Sequence, residues 1–236
     1  MWAVERFEEV LNIPVRRTRL NLDACDRVLD AGIARRSGMG LRDIVGDAGW
    51  NRLARGIRER LGTEPDEGET RLYRGLMSRV ALSWAGRVMA YAGRLLGTPM
   101  AWSSGENVPC DVHVHRDERS GLVWERRYDF GDGPKQVART VKRCDGKGRL
   151  LECFGDKAGM TLRVFEENRA LHFVSVDFFL LLGGWKLRLP GLLSPGELHV
   201  AQYDEGGGLF RFTMDVNHPV LGCVAEQDGL FREEEM

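Results

Sequence analysis

Leu209-Phe-Arg-Phe-Thr-Met-Asp-Val216 alternates apolar and polar residues without a break. On an extended chain, Phe210, Phe212, Met214 and Val216 share one face, and Arg211, Thr213 and Asp215 share the other. A period of two marks a strand buried on one side only. From about Glu106 onward the pattern recurs, and strands are predicted near 107–116, 120–130, 135–144, 148–155, 159–167, 170–182, 185–189, 197–204, 208–217 and 222–232. Turn residues separate them: Gly131-Asp-Gly-Pro134, Asp145-Gly-Lys-Gly148, Glu167-Asn168 and Asp204-Glu-Gly-Gly-Gly208. Such close spacing favours antiparallel hairpins over strand–helix–strand units. A meander of half-buried strands must close on itself or pack against something, so it has an inside.

Upstream, the apolar spacing changes to threes and fours. Asn21 or Asp23 can cap a helix carrying Leu22, Cys25, Val28, Leu29 and Ile33, which Gly38 and Gly40 would stop. A second helix is predicted from Asp47, with Trp50, Leu53, Ile57 and Leu61 on one side. Thr63-Glu-Pro-Asp-Glu-Gly68 reads as a linker, and 69–77 as a first strand. The stretch 80–96 predicts an amphipathic helix with Trp84, Val88, Met89, Leu95 and Leu96, ended by Gly97 and Pro99. Arg79, Arg87 and Arg94 are the only charges between there and Gly105. Such a helix packs its Trp84, Val88 and Leu95 stripe on a sheet, closes a ligand cavity, or lies on an anionic membrane surface. The expected fold class is α+β. A helical N-terminal region (1–64) precedes an antiparallel β-rich domain (65–236), a large curved sheet or barrel-like meander with the helix at 80–96 packed on it.

Composition narrows the function classes. Of 236 residues, 43% are apolar and 29% charged, and the formal net charge is −1. A global basic field for nucleic acid is absent. Met1-Trp-Ala-Val-Glu-Arg-Phe-Glu-Glu9 has acids where a signal peptide needs basic and then apolar residues, and no apolar run reaches the ~18 residues of a transmembrane segment. A soluble cytoplasmic protein is expected. The five cysteines, Cys25, Cys110, Cys144, Cys153 and Cys223, are odd in number and lack C-x-x-C spacing, which fits reduced thiols. Gly38-Met-Gly40 lacks the preceding strand and third glycine of a dinucleotide loop, and there is no Gly-x-Ser-x-Gly elbow. No cofactor or metal is predicted.

Several polar residues interrupt the apolar faces. Trp124, Arg126, Tyr128 and Phe130 share one strand face, so Arg126 sits among aromatics. Glu152 falls between Leu151 and Cys153, and Asp177 between Val176 and Phe178. A buried charge needs a partner, so Arg126 either pairs with Glu152 or Asp177 or receives an anionic head group. His113-Val-His115 puts two imidazoles on one face, with His172, His199 and His218 available as further metal ligands, but the solvated neighbours Asp111 and Arg116 favour ordinary exposed or core histidines. Asn217-His218-Pro219 with Glu226-Gln227 is either a general-base pair or a turn histidine.

A set of motifs adds to this reading. They are Tyr73-Arg-Gly75, Trp84-Ala-Gly-Arg-Val88, Leu95-Leu-Gly97, Val123-Trp-Glu-Arg126, Leu150-Leu-Glu152 with Gly155, Phe210-Arg-Phe212, His218-Pro-Val-Leu-Gly222 and Gln227-Asp-Gly229. In this order they resemble the bacterial family called domain of unknown function 4166, over roughly residues 65–233. That resemblance implies an accessory β-rich domain, often found C-terminal to a saccharopine-dehydrogenase-like or other NAD(P)-binding reductase. It implies no catalytic residues, and it makes His113 and His115 ordinary strand positions. Without a Rossmann segment here, the reductase would be a separate polypeptide.

Three functions follow. The first is a β-lined cavity for a small apolar or amphipathic molecule, anionic heads included, contacted by Trp124, Arg126, Tyr128, Arg139, Phe173, Phe210 and Phe212. The second is an acid/base isomerase or cyclase using the same cavity, with two of Glu152, Asp177, His199 and His218 converging in it. The third is a docking domain that meets a partner through Leu180, Leu181, Leu182 and Trp185.

Overall fold

The computed structural model describes residues 17–19, 40–95, 100–117, 121–145, 148–155, 157–182 and 185–234. Strands hold 58% of these residues and helices 16%. In chain order they are β1 (Arg17–Arg19), α1 (Leu41–Val45), α2 (Asp47–Arg52), α3 (Arg55–Leu61), β2 (Thr70–Leu82), α4 (Trp84–Leu95), β3 (Gly105–Arg116), β4 (Leu122–Tyr128), β5 (Gln136–Cys144), β6 (Leu150–Phe154), β7 (Ala158–Glu167), β8 (Ala170–Leu182), β9 (Trp185–Arg188), β10 (Glu197–Gly206), β11 (Leu209–His218) and β12 (Gly222–Glu234).

Ten of these strands form a ring. β2 through β8 pair each with the next, β8 passes to β10, β11 and β12 follow, and β12 returns to β2, all antiparallel. Closure gives each of these strands a partner on both sides, incomplete where β10 leaves β8. β9 pairs with the far half of β8, and β1 with β9, so these two lie beside the ring. The expected α+β class with a helical N-terminal region is therefore corrected: the described chain is a closed β-barrel with few helices. The helix expected at 22–33 lies outside the described residues.

The helix expected from Asp47 is interrupted. Leu53 and Ala54 are extended, with ψ of 148° and 149°. Here the barrel overrides helical periodicity: the Ala54 N–H donates to the Arg169 carbonyl between β7 and β8 (2.9 Å), and Leu53 is buried. The Gly56 N–H reaches Asp204 on β10 (2.9 Å). The kink lets Trp50, Leu53 and Ile57 join one apolar cluster with Leu150, Leu162 and Leu171. The short helices thus plug one end of the barrel.

Register fixes which side chains face the lumen. Phe210, Phe212 and Val216 of β11 are buried and Arg211 is exposed, as the alternation predicts. Phe231 of β12 lies opposite Gly75 of β2, where a Cβ would come within 2.3 Å of the Phe231 ring. That glycine leaves room for the aromatic side chain.

At the other end, α4 turns an unexpected face to the barrel. Its small residues Ala85, Gly86 and Ala90 point inward. Trp84 and Val88, expected on the sheet, are 73% and 60% exposed. Close approach explains this: a Cβ on Gly86 would lie 2.0 Å from the Val224 carbonyl oxygen. Glycine to alanine normally stabilises a helix interior by about 1 kcal/mol. At Gly86 the sign should reverse, with Gly86→Ala losing on the order of 1–3 kcal/mol in urea denaturation. A gain would mean that α4 does not rest on Val224.

Candidate functional site

Strands β4, β5 and β6 carry the polar groups of the lumen. Their register aligns Trp124 with Thr140, Leu122 with Lys142, and Lys142 with Glu152. The Lys142 Nζ donates to Glu152 Oε1 at 2.9 Å; Glu152 is buried and Lys142 largely so. The same ammonium lies 5.1 Å from the Trp124 ring centroid and 5.9 Å from that of Phe173. Burial lowers the Lys142 pKa, and Glu152 draws it back up. Burial raises that of Glu152, but Lys142 and Arg126 together hold it below the usual carboxylate range.

Arg126 neighbours Trp124 on the same face. Its guanidinium lies 5.3 Å from the centre of the Phe212 ring across the lumen. It makes no ion pair among the described residues, although its charge reaches Glu152, which Lys142 contacts directly. Trp124 is 7% exposed, and its buried indole N–H has no hydrogen-bond partner among the described residues. A half-buried free cation therefore sits beside an unused N–H donor on an aromatic surface. Both are suited to an anionic or hydrogen-bond-accepting group.

The plugged end holds a third cation. Arg60 of α3 stacks on Phe210 (3.6 Å to the centroid) and donates to Gln202 Oε1 (2.7 Å). Burial lowers its pKa to about 10, so it remains charged at neutral pH, with Glu233 and Asp204 near enough to favour that charge. Toward the other end, the Tyr128 hydroxyl donates to Gln227 (2.9 Å).

Five residues singled out from sequence, Trp124, Arg126, Glu152, Phe173 and Phe212, thus meet around one patch. Tyr128 and Phe210 face the same lumen, farther along it. Arg139 does not: it is exposed on the outer face, opposite Glu125. The four acid/base candidates do not converge. Asp177 is in the opposite register, accepting from Thr161 (2.9 Å) near Arg188 (3.7 Å). His199 sits on the outer face against His172 (3.0 Å). His218 bonds the Leu192 carbonyl and accepts from Val220 and Leu221 N–H (each 3.2 Å), a histidine that ties turns together. Its supposed partner Glu226 instead pairs with Arg79.

His113 and His115 lie on the outside of β3, and the described residues contain no group of three or more His, Cys, Asp or Glu arranged to hold a metal. Leu180 and Leu181 are half-buried, while the side chains of Leu182 and Trp185 lie outside the described residues. Sequence reading missed Lys142, Arg60 and Gln202. For Lys142 a signal existed, since Gln136, Ala138, Thr140 and Lys142 form one parity of β5. For Arg60 none did, because it enters from a separate helix.

The wall opens where β10 leaves β8 after the Val174–His199 pair and β9 joins at Phe179. A groove of about 930 Å³ lies there, lined by Ser175, Asp177, Phe178, Leu189, Ser194 and Asn217 among others. Phe178 pairs with Met160 in the lumen-facing register, so the groove adjoins the interior.

The chain belongs to the family described as "Domain of unknown function (DUF4166)", which matches residues 53–231. It is also similar to the Bacillus subtilis protein described as "Uncharacterized protein YndH", with 27% identity over 140 residues, 56% of this chain and 67% of that protein.

The charge pattern yields an ordering. Glu152→Gln leaves Lys142 and Arg126 facing each other without compensation and should cost about 3–5 kcal/mol. Lys142→Met leaves Glu152 the Arg126 charge and should cost less. Because the folded carboxyl is held low, its contribution is complete above the ordinary carboxylate pKa and is lost as pH falls through the lowered value. Urea midpoints across acid pH should therefore fall less steeply for Glu152→Gln than for the wild type. The reverse order of the two variants would mean that Arg126 does not share the Glu152 charge.

Proposed function

We propose that the barrel binds a small amphipathic anion, with its head group on Arg126 and the Trp124 N–H and its apolar body against Phe173, Phe212 and Met214. The observation that carries this reading is Arg126: a cation in an aromatic lumen whose one neighbouring carboxylate already serves Lys142. Such a charge is costly unless a counter-ion completes it. The stranded indole donor beside it supports the same reading, since a buried N–H without a partner forgoes a hydrogen bond. The groove between β8 and β10 offers an entry route. An acid/base enzyme needs two proton-transfer groups within reach of one substrate; of its four candidates Asp177 and His199 are in the outward register, and His218 is taken up by turn hydrogen bonds at the end of β11.

The fluorescent anion 1-anilinonaphthalene-8-sulfonate provides a test, because it pairs an apolar ring system with a sulfonate. The full chain should bind it saturably, and Arg126→Met should weaken binding by about 10- to 100-fold, the value of one charge-assisted hydrogen bond. Arg139→Met, on the outside, should leave the affinity unchanged. Equal affinities for Arg126→Met and wild type would overturn the proposal, as would absence of binding.

A further inference from the structure

The helix α4 is oriented against its own hydrophobicity. Ala85, Gly86, Met89, Ala90 and Gly93 make up the side that rests on the barrel, while Trp84, Val88 and Tyr91, spaced i, i+4 and i+7, form a single outward face. They are 73%, 60% and 54% exposed. Apolar faces normally turn inward, so an inverted helix has an outer partner to meet.

Other elements extend this face. The Ser83 N–H bonds the Val224 carbonyl (3.1 Å), which sets the start of α4 beside the β11–β12 turn. That turn exposes Val220 and Leu221, and His218 links it to the loop that exposes Leu192. Six of the ten large apolar side chains left exposed among the described residues thus lie toward one end of the barrel, and two of them, Leu192 and Val220, adjoin Gly191 and Pro219 of the groove between β8 and β10.

The charges indicate the partner. Arg87 and Arg94 flank the apolar face on one side, both exposed, and no acid occurs between Arg79 and Glu106. Arg94 stacks on Trp102 at 4.0 Å, which holds its cation at the surface. Aromatic and aliphatic side chains beside acid-free arginines match a membrane interface, where rings enter the head-group layer and guanidinium groups stay with the phosphates. Two copies meeting through this face would instead set their arginines against one another.

We propose that α4 and the adjoining turns dock the protein on an anionic lipid surface, with the barrel's groove at the contact. The attachment proposed is peripheral, through α4 and the turns; no described helix is long and apolar enough to cross a membrane. The proposal does not require the barrel to bind an anion. If it does, docking gives it access to membrane-derived amphiphiles.

Sedimentation of the full chain with sucrose-loaded vesicles tests the idea. Binding to phosphatidylcholine vesicles containing phosphatidylglycerol should exceed binding to phosphatidylcholine alone on the order of tenfold, and should weaken with salt. The triple variant Trp84→Ser, Val88→Ser, Tyr91→Ser should lose binding to both. The double variant Arg87→Glu, Arg94→Glu should lose the preference for anionic vesicles. All five side chains are exposed, so both variants should keep the wild-type urea midpoint and anilinonaphthalene sulfonate affinity. That separates failure of docking from failure of the lumen site.

Absence of sedimentation with anionic vesicles would overturn the proposal, as would undiminished sedimentation of the triple variant. A concentration-dependent dimer of the lipid-free chain that the triple variant abolishes would do the same, since a second copy would then cover this face.

Discussion

Closure of the sheet is the constraint on which the other features depend. β12 pairs with β2 from Ala225–Leu82 to Glu234–Leu72, joining the first and last strands of the ring. β7 and β8 complete the circuit, with a register shift at Thr161–Leu162 that lets the wall bend. Once the ring is closed, each strand face is assigned as lumen or exterior, and one residue of slip would exchange the two. The close packing of Gly75 against Phe231 and of Gly86 against Val224 exists only because β2 and β12, the first and last strands of the ring, lie side by side.

The lumen combines a conventional apolar core with a deliberate electrostatic imbalance. Lys142 and Glu152 satisfy each other, and Arg126 remains beyond that pair. A structural ion pair alone would need one cation. The additional guanidinium lies against the Phe212 ring without an ion pair among the described residues. The short helices before β2 contribute to the same interior by carrying Arg60 onto Phe210 and Gln202.

Strand positions were largely legible in the sequence. The predicted segment 170–182 matches β8, and 135–144 misses β5 by one residue, because alternation and turn glycines mark such segments locally. The helices were less legible. Trp50, Leu53 and Ile57 have helical spacing, but the contact of Ala54 with the barrel end breaks the helix between them. In α4 the apolar stripe was visible and its direction was not, since close contact with the Val224 carbonyl favours the side with the smallest residues.

The site shows the same division. Sequence alone determined that Arg126 lies among aromatics on one strand face, that Glu152 interrupts an apolar run, and that β11 turns Phe210 and Phe212 to one side, since each follows from a period of two. It did not determine which parity of Gln136–Cys144 faces the lumen: Val137, Arg139 and Val141 alternate as regularly as Gln136, Ala138, Thr140 and Lys142. Tertiary structure resolved that by pairing Arg126 with Ala138 and Lys142 with Glu152, which puts Arg139 outside. It also put His199 and Asp177 in the outward register and engaged the buried His218 with a turn at the end of β11. The physical reason is that alternation is a local property of an extended chain, whereas the identity of the inner face depends on long-range register and ring closure.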